Sequence, residues 1–195
     1  LHDLQDTHRI PKSPIHVDSP MALEAMRIYR EAIVDGDDEL LSSTVAMGPD
    51  IIEPGNLFES RTPDESKRLD AGGARIIVSA SGMATGGRVV HHLKAFLPDP
   101  DCTIILAGYQ AVGTLGRMLV DGADKVKIFG EPIAVKANIH TMGGFSAHAG
   151  QTDLLAWLES LIPAKPQVVI THGEEKSRLG LEKARIPHAD RHGLL

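Results

Sequence analysis

Short continuous apolar runs alternate with stretches of helical periodicity along most of the chain. Residues 15–18, Ile-His-Val-Asp, read as a short strand ending in an acid. Ser19-Pro20 then opens a helix, with serine as N-cap and proline in the first turn, where its missing N–H costs nothing. Apolar residues at helical spacing continue over 21–34, and Gly36 is placed to end the helix. The stretch 35–61 is polar, with Gly48-Pro49 and Pro54-Gly55 as breakers, and predicts loops with a short helix. Thr62-Pro63 starts another helix with the same grammar. Beyond it the alternation is regular. Strands are expected over 75–79, 103–107, 126–129, 133–140 and 168–171, and helices over 88–96, 114–120, 152–161 and 174–184. Strand–helix alternation with continuous apolar strands means a parallel sheet covered on both faces. The expected class is α/β, a three-layer sandwich with a mainly parallel sheet. No internal repeat or low-complexity run is present.

Composition narrows the reading. The 195 residues fit one large domain or two small ones, and 42% hydrophobic with 24% charged residues is ordinary for a globular chain. The net charge of -6 argues against a domain wrapped in nucleic acid by bulk charge, without excluding a local basic site. One cysteine rules out a disulfide framework and a Cys-rich zinc finger. No apolar run is long enough to span a membrane. The start, LHDLQDTHRI, is neither a signal peptide nor a start methionine, so a cytoplasmic protein or a piece cut from one is expected. Of 19 glycines, 13 lie between Gly72 and Gly150, in a chain with only seven aromatics. That density predicts tight loops where backbone approaches something closely.

In parallel sheets, ligands sit beyond the C-terminal ends of the strands. Five strand ends here carry polar or glycine-rich segments: Asp18-Ser19, Ala80 to Arg88, Gly108 to Arg117, Gly143 to Gly150 and His172-Gly-Glu174. Four run into a helix, which concentrates backbone N–H donors suited to phosphates. One such loop is ordinarily a tight connection. Two, each closed by an arginine (Arg88, Arg117), put a phosphate role on an equal footing. No G-x-G-x-x-G dinucleotide pattern, no G-K-[ST] and no G-x-S-x-G is present. His148 lies in a small polar loop, and His172 follows an apolar strand. A single histidine at a strand end is more commonly structural than catalytic. Two, with Asp18 at a third strand end, favour a zinc ligand set or an oriented acid–base couple. His91-His92 lie within a helix, where neighbours point to different sides, so a joint metal site is not expected. Cys102 is expected to be buried and inert.

Asp18-Ser-Pro-Met-Ala22, Ser81-Gly-Met-Ala-Thr-Gly-Gly87, Gly108-Tyr-Gln with Gly113-Thr-Leu-Gly116, Gly144-Phe-Ser-Ala-His-Ala149 and Thr171-His-Gly-Glu174 stand in one order. That set resembles the β-CASP branch of the metallo-β-lactamase superfamily, RNA-processing nucleases related to the cleavage and polyadenylation endonuclease. The resemblance covers roughly residues 15–184. It implies a β-CASP domain over 15–140 and a returning strand–helix segment of a metallo-β-lactamase domain over 141–195. It also implies that Asp18 is the motif A acid, His148 the motif B histidine at the scissile phosphate, and His172 the motif C zinc ligand. Ser81, Gly82, Gly86, Gly87, Arg88 and Ser146 would face the RNA backbone. The implied function is metal-dependent phosphodiester hydrolysis, with two zinc ions in the full-length enzyme.

The family's main metal cluster, H-x-H-x-D-H, is absent, and this chain begins 17 residues before Asp18. It is therefore expected to be a fragment lacking the N-terminal metallo-β-lactamase half, inactive on RNA by itself and without stoichiometric zinc. An uncovered edge and apolar face in 141–195 would lead to a homodimer, local disorder or an altered C-terminal tail. The alternative is a non-catalytic RNA- or phosphate-binding module of β-CASP type. A third reading, a metabolic hydrolase of a nucleotide, suits the acidic charge but not the motif order.

Overall fold

The apolar run at 15–18 forms the expected strand and becomes the centre of a parallel sheet. The computed structural model describes residues 1–52, 55–145, 148–164 and 167–184, which fall into two units, 1–146 and 147–195. In chain order the first unit holds α1 (His2–Asp6), β1 (Ile15–Asp18), α2 (Pro20–Asp35), α3 (Ser42–Met47), β2 (Leu57–Glu59), α4 (Pro63–Arg68), β3 (Ile76–Ser79), α5 (Arg88–Phe96), β4 (Thr103–Leu106), α6 (Leu115–Val120), β5 (Lys125–Ile128), β6 (Glu131–Ala134) and β7 (Asn138–Thr141). The second unit contains α7 (Gln151–Glu159) and α8 (Glu175–Lys183). No helix among the described residues is long and apolar enough to cross a membrane.

The strand order in the first sheet is β2-β1-β3, all parallel, with Ile15 opposite both Leu57 and Ile76, and Asp18 opposite Ser79. Local chemistry explains the adjoining helices. The Ser19 hydroxyl accepts the Ala22 N–H at 3.2 Å to start α2, and Gly36, at φ 70°, closes it in the left-handed conformation. Thr62 and Glu65 form a reciprocal capping box at the start of α4.

A second parallel pair joins β4 to β7, and β5 with β6 forms an antiparallel hairpin. These strands and α5 enclose an apolar core in which Leu97, Leu106, Leu119, Val126 and Ile128 are buried. Val90 and Leu93, three apart, point the apolar stripe of α5 into it. The chain is thus an α/β protein with parallel strand pairing, as the alternation predicts.

Three elements differ from expectation. The single strand over 133–140 is split into β6 and β7, because the N–H groups of Lys136 and Ala137 both donate to the Leu97 carbonyl (2.7 and 3.0 Å) instead of to a neighbouring strand. The short β2 forms inside the polar stretch 35–61 because β1 offers it an edge. The strand expected over 168–171 pairs with no other strand among the described residues. A strand persists when a neighbour takes its backbone groups, and the described elements of its unit are helical. Coverage on both faces is also incomplete: Val78 and Ile105 are 44% and 55% exposed.

Candidate functional site

Asp18 ends the central strand β1 and is fully buried. Three side chains converge on its carboxylate. The Ser66 hydroxyl, on α4, donates to Oδ2 at 2.5 Å. The Arg88 guanidinium, at the start of α5, donates to Oδ1 at 2.6 Å. His92, one turn further along α5, brings Nε2 to 2.7 Å from Oδ2. The other ring nitrogen of His92 lies 2.7 Å from the Asp70 carboxylate, so the imidazole bridges two acids. The Asp18 carbonyl accepts from the Ser79 hydroxyl at 2.9 Å, fixing the strand end as well as the side chain.

Burial pushes the Asp18 carboxyl up, because it disfavours a charge removed from water. The hydrogen bonds from Ser66, His92 and Arg88, together with the arginine's charge, outweigh it and hold the carboxyl below its usual range. Asp18 is therefore a fixed anion. Arg88 is equally constrained: it also donates to the carbonyls of Ser60 (2.8 Å) and Arg61 (2.9 Å). Its guanidinium is spent on the Asp18 cluster and the β2–α4 connection.

The glycine-rich loops lie beside this cluster and are tied to one another. Gly87 leads into Arg88 at φ 78°, and a Cβ there would stand 2.9 Å from the Ala80 carbonyl oxygen, so only glycine fits both the turn and the space. The buried Gln110 donates to the carbonyls of Gly82 (2.9 Å) and Gly108 (3.0 Å), one in each loop. The Gly116 N–H donates to the Met83 carbonyl at 3.1 Å. Ser81 turns inward on its own loop, its hydroxyl accepting the Thr85 N–H at 3.2 Å.

Of the residues singled out in the sequence, Asp18, Ser81, Gly82, Gly86, Gly87 and Arg88 lie in the first unit, and Asp18 and Arg88 are in direct contact. His148 and His172 lie in the second unit, and both are exposed. His172 has a φ of 64° and is followed by Gly173 at 84°, a sharp turn that presents the imidazole outward. Ser146 lies outside the described residues. Cys102 is half-buried rather than buried, and burial and the nearby Asp99 and Asp101 push its thiol up.

The residues that sequence reasoning missed are His92, Ser66 and Asp70. A signal existed for His92: it stands four residues after Arg88, on the same helical face, so an inward Arg88 carries His92 with it. Ser66, on α4, and Asp70, just beyond it, had no comparable signal.

Among the described residues, no group of three or more His, Cys, Asp or Glu side chains could hold a metal ion. The described donors do not fit a two-zinc centre on their own.

A buried acid at the end of a central parallel strand, faced by an arginine and a histidine from the helix after a glycine-rich loop, agrees with the motif order. Residues 1–119 match the Beta-Casp domain family, and the chain belongs to it. Residues 132–185 match a Zn-dependent metallo-hydrolase RNA specificity domain. Among relatives, the chain is 38% identical over 177 residues to Ribonuclease TTHA0252 of Thermus thermophilus, covering 90% of this chain and 40% of that protein. It is 36% identical over 121 residues to transcription termination factor FttA of Thermococcus kodakarensis, covering 60% of this chain and 19% of that protein. The FttA of Methanothermobacter thermautotrophicus is 29% identical over 190 residues, 93% of this chain and 29% of that protein. The chain therefore spans two-fifths or less of the length of these relatives.

Proposed function

We propose that the chain is the RNA-facing part of a zinc-dependent ribonuclease. In this reading 15–140 is the β-CASP domain, and 141–195 is the returning segment of a metallo-β-lactamase half whose principal metal ligands lie outside these residues. The observation that carries it is Asp18, a buried carboxylate held ionised by Ser66, Arg88 and His92. The family match and the ribonuclease of Thermus thermophilus support it.

By the motif correspondence, His148 is the acid that protonates the leaving oxygen of the scissile phosphodiester, Asp18 is the motif A carboxylate that stays anionic, and His172 is a metal ligand. Bound zinc would activate the attacking water. The chain's own part is to hold a carboxylate in one charge state and one orientation, which a buried, three-donor site does at no reorganisation cost during reaction. RNA is the proposed substrate.

The test is made on the full-length protein. His148→Ala is expected to abolish RNA cleavage with zinc content nearly unchanged, and His172→Ala to lower zinc occupancy. Equal metal loss in both variants would overturn the two roles. For the 195-residue chain alone, metal analysis is expected to find no stoichiometric zinc; one or two zinc ions per chain would overturn the division of ligands.

A further inference from the structure

A cleft of about 610 Å³ opens in the first unit between the loops at 85–88 and 113–115 and the β5–β6 hairpin. It is separate from the Asp18 carboxylate, which is not in its wall. Its lining includes Arg88, His91 and Lys127 but no carboxylate, although acidic residues outnumber Lys and Arg by 26 to 20 in the whole chain. Arg88 is already paired with Asp18. Lys127 lines the cleft, is exposed and forms no ion pair among the described residues, so it is an available cation there.

The aromatic at this wall is in an unexpected place. Phe129 and Gly130 are the two turn residues of the β5–β6 hairpin, and both have positive φ, 50° and 84°. Such turns favour Asn, Asp or Gly, and a phenylalanine there carries backbone strain. Folding recovers little of it, because the residue is 58% exposed. The ring instead lies against the exposed imidazole of His91, centroids 4.7 Å apart at 38°. Lys94 on α5 also pairs with Glu131 of the hairpin at 2.7 Å, a second contact between the same two elements. A strained, exposed ring beside an imidazole, with a lysine two residues away and no acid in the lining, has the components of a stacking platform for a base and its phosphate.

We propose that this cleft is a nucleotide subsite for single-stranded RNA: one base stacks on Phe129 beside His91, and Lys127 neutralises the adjoining phosphate. The proposal rests on the ribonuclease reading for its ligand class and extends it to residues the family motifs do not include.

The experiment titrates the 195-residue chain into a fluorescein-labelled single-stranded uridine hexanucleotide, with a chelator present, and follows anisotropy at two salt concentrations. Phe129→Gly removes the ring while relieving the positive φ, and is expected to weaken binding about five-fold or more with an unchanged or raised melting temperature. Phe129→Leu, which keeps apolar bulk, is expected to lose a similar amount. Lys127→Gln is expected to weaken binding and to lower the log–log salt slope by about 0.7, the share of one phosphate contact on a single strand. RNA binding by all three variants equal to that of the original chain would overturn the subsite while leaving the ribonuclease reading in place. Equal affinity for a duplex of the same length would overturn the stacking assignment. No binding by the unaltered chain at 50 mM salt would overturn both the subsite and RNA as this chain's ligand.

Discussion

His92 stands between Asp18 and Asp70, with each ring nitrogen 2.7 Å from a carboxylate oxygen. The inner acid is fully buried, whereas the outer side chain is 30% exposed. The histidine therefore links a solvent-touching carboxylate to a buried one and fixes the orientation of the inner acid.

The two partners of His92 differ in solvation, so their loss has unequal consequences. His92→Ala deprives a buried carboxylate of a donor and is expected to lower unfolding stability by about 1–3 kcal/mol, read from urea denaturation. Asp70→Asn keeps the side-chain shape at a half-exposed position and is expected to cost under about 1 kcal/mol. In the full-length protein both are expected to lower the rate of RNA cleavage more than they raise the substrate concentration for half-maximal rate. An Asp70→Asn loss of stability as large as that of His92→Ala would show that the outer acid does more than orient.

The acid limb of the stability curve follows from Asp18. Its carboxyl is held below the ordinary value of 3.8, so the folded state stays ionised to lower pH than the unfolded chain. The stabilisation it gives is complete above that ordinary value and is lost as pH falls through the lower, native one. Asp18→Asn is expected to flatten the fall in melting temperature below about pH 4, whatever it does to stability at neutral pH. An unchanged acid limb would assign it to Glu24, Glu59 and Glu65, which are also held low, the first two by arginine and the last by backbone N–H donors.

Gly116 tests the tie between the two loops. A Cβ there would stand 1.8 Å from Gln110 Oε1, so alanine has to displace the side chain that bonds Gly82 and Gly108. Gly116→Ala is expected to destabilise by about 1–3 kcal/mol in thermal unfolding. Gly180→Ala, within α8 and with open space around it, is the control and is expected to be neutral or stabilising by up to about 1 kcal/mol. Similar behaviour of the two would mean that Gln110 moves freely and does not hold the loops.

Much of the fold was legible because its signals are local. Ser19 and Thr62 announce their helices by capping chemistry confined to four residues, and α5 begins at Arg88 and ends at Phe96 as its periodicity predicts. What failed depends on partners. The run 168–171 looks like a strand, but pairing is decided by a neighbour that composition cannot reveal. The break between β6 and β7 is set by one carbonyl, Leu97, nearly forty residues upstream. At the site, Asp18 and Arg88 stood out by position and motif, whereas Ser66 and Asp70 carry no mark of function in sequence. They matter only because α4 packs where β1 ends. His92 was passed over as a helix-interior histidine, although its four-residue spacing from Arg88 placed it on the same face.

The side chains that hold Asp18 lie 48, 70 and 74 positions away along the chain. No hairpin or single helix can assemble this cluster, so loops of that length must close before the charge gains any donor. A nascent or partly opened first unit would carry Asp18 as an ordinary hydrated carboxylate. The site is thus a readout of completed folding: it forms when β1, α4 and α5 have all arrived, and its loss in hydrogen exchange should coincide with opening of the whole unit rather than with fraying of any one element.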